Sequence, residues 1–394
     1  MTIPEIDPTL AAQNTEEERK RRKLLALLLL LLLVLCCVGY FFINYLLKPR
    51  PITDLLPAPV AASIPPVYKL SFPADEPVGV ALSPDGQRVY VAESGGERLI
   101  KMFDRDGNFI KSFAPPGTTS SNRKPSYIAV APDGRVFMND MYNNVIAVFD
   151  ADGVFLDGII ARDVTLREFV TGINGTIPPG TLYYYNNTNH TVDYKLPGKE
   201  AVSVPGPDQS EWSPLGIRFD KEGNLMITNI VAGKHEVMIF PAADIKGDMI
   251  SFNPQTKVFG VEGKEAGQLS FPNSAVKDSL GNFYVSDGNN GRISAWTVDM
   301  LYRNFFAFGS TEDALNLPRG MWMDEKERLH VADAVGQYIR VYDVSGAEPA
   351  FLFNFGDFGA LEGQFNFPTD ICMDTTGRLY IADRKNNRVQ IWSY

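Results

Sequence analysis

From residue 67 to residue 394 the chain repeats one pattern of apolar and polar positions. A proline opens a short apolar run, as in residues 78–82 (VGVAL), and a polar turn such as 83–86 (SPDG) follows. A second apolar run comes next (89–92, VYVA; 283–286, FYVS; 379–382, LYIA), ending on an acid or amide. After a loop rich in Gly and Asn, a third run alternates apolar and polar residues, as in 292–296 (RISAW) and 388–392 (RVQIW). Alternation at period two between turn signals predicts antiparallel strands, and Asp-Gly pairs suit tight hairpins. A fourth strand is legible in some units, at 108–113 and 350–355.

The register of the repeat is set by Pro77, Pro125, Pro214, Pro272, Pro318 and Pro368. Nine positions on stand Gly86, Gly134, Gly223, Gly281, Glu327 and Gly377. Fifteen positions on, sixteen in the first unit, stand Glu93, Asp140, Asn229, Asp287, Asp333 and Asp383. Four strands in units of about 45 to 50 residues predict an all-β fold, a six-bladed β-propeller. The sixth unit stops after its third strand, and residues 67–72 have the length and pattern to supply the fourth, closing the ring by pairing the N- and C-terminal strands. The interval from Pro125 to Pro214 is nearly two units long. A seventh unit starting at Pro178 is one reading; an insertion at about 165–212 built on a hairpin, 181–185 against 191–194, is preferred because too few residues remain for two more strands.

These residues resemble the NHL repeat: Gly-x-apolar-Tyr-Val-Ala-Asp, then Asn-Asn-Arg-apolar-x-apolar-Trp, with Phe367 to Trp392 the nearest match. The resemblance covers about residues 67–394 and implies six-bladed closure. It leaves the activity open, since that family includes binding modules, sensor ectodomains and a few lyases, and a fold does not fix a function.

Ahead of the repeats, Leu24 to Leu47 is a 24-residue run without a charge. As a helix it would extend about 36 Å, enough to cross a hydrocarbon core. Five basic residues precede it (residues 19–23) and only Lys48 and Arg50 follow closely, which predicts a signal-anchor transmembrane helix with residues 1–23 as a cytoplasmic tail. Residues 48–66 hold six prolines and read as a stalk. The expected location is therefore a single-pass plasma-membrane protein, N-terminus inside, with residues 67–394 extracytoplasmic. Residues 1–50 contain 7 of the 37 basic and 5 of the 47 acidic residues, so the remainder carries a formal charge of −12. That balance lacks the basic footprint of a nucleic-acid binder. Cys36 and Cys37 fall in the apolar run, which leaves Cys372 without a disulfide partner in the repeats.

In a propeller the ends of the second strands and the starts of the first approach one mouth of the channel. Candidate ligand-binding positions are therefore Glu93, Asp140, Asn229, Asp287, Asp333 and Asp383, together with Tyr127, Ser274, Arg319 and Asp370. Two readings of the six acid or amide positions compete. As a recognition face they would prefer a basic or aromatic surface, and hard carboxylate oxygens suit a calcium ion. As structural groups they would accept backbone amides, the simpler account of a residue repeated in every unit. In the insertion, Tyr183, Tyr184, Tyr185 and His190 make a tyrosine and amide mixture suited to recognition, or a set of packing residues. The expected function is a scaffold or sensor for a protein, peptide or glycan ligand, with no cofactor required. The rival is a metal-dependent lyase or hydrolase, because lyases resembling these repeats use histidine-bound zinc and a channel calcium. Against it, His190, His235 and His330 show no metal-ligand spacing, and His330 stands where other units carry Tyr or Phe.

Overall fold

The computed structural model describes residues 21–36, 39, 40, 64–245 and 256–394. The chain divides into two units, Met1–Ser63 and Ile64–Tyr394. In the first, residues 21–36 are helical with exposed leucine side chains. Part of the expected membrane span (37, 38 and 41–47), the tail up to residue 20 and the stalk 48–63 lie outside the described residues. Among the described residues no helix is long and apolar enough to cross a membrane.

The second unit is all-β. Among the described residues it contains six antiparallel sheets of four or five strands, each starting at one of the six prolines. We number them 1 to 6 in the order of those prolines. Sheet 1 shows the plan: Pro77–Leu82, Arg88–Glu93, Ile100–Asp104 and Phe109–Phe113 pair in sequence. In sheet 6, Pro368–Met373, Arg378–Asp383 and Arg388–Ser393 are completed by Val67–Pro73, in register from Val67 opposite Ser393 to Pro73 opposite Arg388. The pairing expected from residues 67–72 is therefore present.

The turn glycines have a common cause. Gly86, Gly134, Gly223, Gly281 and Gly377 all take positive φ, between 67° and 90°, where a side chain is disfavoured. Glu327 adopts the same conformation at φ 58°. Its carboxylate accepts the Ser279 amide of sheet 4 at 3.2 Å, a contact that glycine could not make.

The innermost strands, those starting at the prolines, lie side by side from sheet 1 to sheet 6, and sheet 6 again meets sheet 1. Apolar clusters fill the spaces between neighbouring sheets all the way round. Between sheets 2 and 3, for example, Phe137 and Ile146 face Ile227 and Phe240. Burial on both faces is why the inner strands read as near-continuous apolar runs rather than alternating ones.

The 89-residue interval holds an insertion rather than another four-stranded sheet. Leu182–Asn186 pairs with Thr191–Lys195, as the hairpin reading has it, and a third strand, Val202–Pro205, adds to the second. A helix, Leu166–Asn174, precedes them and was not anticipated. Its start is nevertheless marked in the sequence: Thr165 caps it by accepting the Glu168 amide at 3.2 Å, the spacing of a capping box. Helix and hairpin pack on the outer part of sheet 2 through Leu166, Val170, Tyr183, Tyr185 and Tyr194, which meet Val145 and Ile160.

Candidate functional site

The register of each sheet sets its starting proline opposite the acid or amide that ends the second strand: Pro77 with Glu93, Pro125 with Asp140, Pro214 with Asn229, Pro272 with Asp287, Pro318 with Asp333 and Pro368 with Asp383. All six side chains are buried. Each accepts a backbone N–H from the segment leading into its own sheet: Asp75 (2.7 Å), Lys124 (2.8 Å), Ser213 (2.7 Å), Ser270 (2.6 Å), Leu317 (2.9 Å) and Asn366 (2.7 Å), in chain order. A proline has no N–H of its own and interrupts the ladder, so the carboxyl group instead fixes the incoming backbone one or two residues earlier.

Further donors reach several of these side chains, while Glu93 Oε2 is buried without a hydrogen-bond partner among the described residues. Arg292 Nε reaches Asp287 and Arg388 Nε reaches Asp383, both at 2.8 Å, while Lys101 pairs with Glu93 at 2.8 Å. Burial pushes the carboxyl groups of Glu93, Asp140 and Asp287 above their ordinary range, and the hydrogen bonds they accept oppose that shift. The one amide has a local reason. Asn229 faces Glu236 across the strand pair, where sheets 4 and 6 place Arg292 and Arg388. Its Nδ2 donates to Glu236 Oε1 at 3.2 Å and to the Glu211 carbonyl at 3.1 Å. A neutral donor satisfies what a second carboxylate would repel. These positions act within their own sheets.

The innermost strands contribute a different set. Two residues after the starting proline, Gly79, Gly216 and Gly320 alternate round the ring with Tyr127, Ser274 and Asp370. A Cβ on Gly216 would stand 1.9 Å from the Asn273 carbonyl oxygen, and one on Gly320 2.1 Å from Asp370 Oδ1. Small residues on odd-numbered sheets thus admit the larger ones of the next. Asp370 is fully buried, accepts Arg218 at 2.8 Å and the Val80 amide at 3.0 Å, and burial pushes it up to about 6. Tyr127 is also buried, its phenol pushed up to about 12 by burial. It donates to Asn273 Oδ1 at 3.3 Å. Arg319 Nη1 donates to the same oxygen at 2.7 Å.

A cavity of about 150 Å³ opens at the mouth where the innermost strands begin, lined by Lys124, Tyr127, Met141, Arg319, Phe367 and Arg384 among others. Of the sequence candidates, Tyr127 and Arg319 line it; Asp370 and the six acid or amide positions do not. No carboxylate is among its lining residues. Arg384 is paired with Glu76 at 3.1 Å. Arg319 has the Asn273 amide oxygen and the Phe367 ring, 5.9 Å from the guanidinium, and its buried Nε has no partner among the described residues. Lys124 and Arg384 were not singled out by sequence reasoning: both flank repeat positions and differ from unit to unit, so only the ring brings them together. At the opposite mouth a cavity of about 380 Å³ is lined by Arg218, Lys221, Trp322 and Asp374.

In the insertion Tyr183 and Tyr185 are buried, with Tyr183 Oη donating to the Leu156 carbonyl at 3.0 Å. Tyr184 is half-buried and His190 is exposed at the hairpin tip. The packing reading accounts for the first two. The hairpin does lean on the rim, since Asn187 Nδ2 donates to the Tyr142 carbonyl at 2.8 Å. His235 accepts the Phe271 amide at 3.2 Å, and His330 Nε2 bonds Tyr394 Oη at 2.7 Å. Among the described residues no three His, Cys, Asp or Glu side chains are grouped to hold a metal ion.

Residues 365–392 match the NHL repeat. In fold the chain is similar to virginiamycin B lyase from Staphylococcus aureus, with TM-score 0.51 and 12% identity over 82% of this chain and 98% of that one. A streptogramin B lyase gives TM-score 0.51 at 13% identity, over 83% and 96% of the two chains. A protein of unknown function from Bacteroides thetaiotaomicron gives 0.50 at 15%, over 84% and 72%. At such identities the likeness bears on the fold alone.

Proposed function

We propose that this chain, an NHL-repeat propeller protein, is a six-bladed binding scaffold or sensor, held at a membrane by the apolar run of residues 24–47, whose receptor site is the mouth where its innermost strands begin. One observation carries the reading. The mouth cavity is walled by Val78, Ser126, Leu215, Arg319 and Thr369, each the residue after a starting proline, from five different sheets. Its shape is therefore set by the packed ring rather than by any single loop, the arrangement that preorganised recognition requires. The ligand is a protein, peptide or glycan segment that enters the mouth beside the insertion.

The two lyases of similar fold suggest chemistry in the channel as the competing function. His330 and His235 favour it least, because each is engaged inside a different sheet.

A photo-crosslinking residue at Met141, which is exposed on the rim, tests the receptor reading in the protein's own membrane, with Leu280, exposed on a distant turn, as the control. We expect a discrete adduct from position 141 and none from 280. Equal labelling from both positions, or none from 141, overturns it.

A further inference from the structure

Resting on that receptor reading, we infer that the mouth cavity is an oxyanion site, in which a carboxylate or phosphate group of the ligand sits against Arg319 beside Lys124. This reverses the expectation from net charge. The unit is acidic overall, yet the acids near this mouth are already committed. Glu93 is paired with Lys101 through Oε1, its Oε2 being buried and closed to solvent, Asp370 is paired with Arg218, and Glu76 with both Arg384 and Lys385 (3.1 and 2.9 Å). Asp140 is filled by the Lys124 and Tyr142 amides and by Asn143 Nδ2.

The cations are not all matched. Arg319 is half-buried in the cavity wall with only a neutral amide oxygen as acceptor. Lys124 is half-buried too, and its ammonium has no ion pair among the described residues. Next to it, outside the cavity lining, Arg123 is buried and donates to the Glu97, Arg98 and Thr118 carbonyls, with Asp140 and Glu97 as the opposing charges acting on it. Keeping a guanidinium partly out of water without a counter-charge costs free energy, and an incoming oxyanion recovers it through charge-assisted hydrogen bonds. The other groups fit such a ligand. Asn273 holds the guanidinium in place, and Phe367 covers one of its faces. A volume of about 150 Å³ takes a carboxylate or phosphate group with a few attached atoms. Five of the six acid or amide positions are carboxylates, which accept and offer such an anion no donor, and the sixth, Asn229, already donates to Glu236 and to the Glu211 carbonyl.

Acetate and inorganic phosphate serve as probes, titrated into the full-length protein at constant ionic strength and followed by calorimetry and melting temperature. We expect saturable binding of at least one. The preferred probe identifies the ligand group as carboxylate or phosphate. Arg319→Gln should weaken it about tenfold or more, a single charge-assisted hydrogen bond being enough for that factor. Lys124→Gln, at a half-exposed position, should weaken it less while leaving the melt unchanged, which keeps the test valid if the arginine variant folds poorly. No saturable response to either probe, or identical titrations of wild type and K124Q with R319Q unaffected, overturns the inference. The crosslink from Met141 is scored separately. If it persists while both probes fail, the receptor stands without an oxyanion site; if both fail, so does the receptor reading.

Discussion

Asn229 is the one amide among six structurally equivalent positions, and its replacement by Asp puts the explanation for that difference to a quantitative test. The variant places a carboxylate about where Nδ2 now donates to Glu236 Oε1 at 3.2 Å. Two unit charges at that distance repel by about 5 kcal/mol at an effective dielectric of 20. The protein can escape by binding a proton, and from a reference pKa near 3.9 that route costs about 4 kcal/mol at pH 7 and about 1.5 kcal/mol at pH 5. The cheaper route sets the penalty. The sign follows: the folded pKa of the pair is raised above its unfolded value, so the folded variant holds the proton more tightly and its deficit grows as pH rises. Protonated, the new side chain can still donate to Glu236 or to the Glu211 carbonyl. Arg162, 3.8 Å from Glu236, trims the effect without cancelling it. For a domain of this size about 2 °C accompanies each kcal/mol, so N229D should melt roughly 8 °C below wild type at pH 7 and roughly 3 °C below at pH 5. Tryptophan fluorescence melts of the full-length protein read this directly, and adding Glu236→Gln should restore most of the loss. An N229D melt equal to wild type at pH 7, or a deficit that does not change with pH, refutes the reasoning.

Four further outcomes follow from other contacts of the fold. Asp383→Ala strands four donors, Asn366 N, Asn386 Nδ2, Arg388 Nε and Gln390 Nε2, all within 2.9 Å of the carboxylate. At about 1–3 kcal/mol each it should lower stability by roughly 4 kcal/mol or more in denaturant titration; a ligand-binding role would instead reduce binding at unchanged stability. Gly320→Ala drives a Cβ to 2.6 Å from the Asp370 Cα, costing about 1–3 kcal/mol as overpacking does. Gly172→Ala, in the insertion helix with nothing within 4 Å of the new atom, should gain about 0.5–1 kcal/mol in the same titration. Burial pushes His330 down to about 4 from 6.5. Its contribution is therefore intact above pH 6.5 and is lost as pH falls towards 4, by at most about 3 kcal/mol. Asp157 and Asp370, raised to about 6 by burial, act the other way, losing stability as pH rises from about 4 to 6. Melts at pH 4.5 and 7 should show a shallower acid-side decline in His330→Phe than in wild type; parallel declines would show that His330 is not the titrating group.

The repeat register was legible because it reflects local requirements that recur in each sheet. Proline interrupts a ladder, glycine admits the positive φ of the turn, and a carboxyl group takes up the amides that the proline leaves out of register. Each of these acts within about fifteen residues, so sequence spacing alone exposed the strands and the turns; the pairing of residues 67–72 with the last strand was legible only because the sixth unit lacks a fourth strand of its own. The role of the six acid or amide positions was ambiguous for the same reason. Their spacing is identical whether they face a ligand or their own backbone, and only the donors around them, such as Arg388 at Asp383 or Glu236 at Asn229, separate the two. The insertion helix carried a readable cap at Thr165, but its apolar residues made sense only once sheet 2 was there to receive them. The mouth cavity lay furthest from view. Lys124, Arg319 and Arg384 are separated by 195 and 65 positions, and net charge pointed to an acidic face. Ring closure brings these cations to one opening while the carboxylates turn inward to neighbouring amides and arginines. Composition sums charges over the whole chain; the fold decides which of them are already neutralised and which still face the solvent.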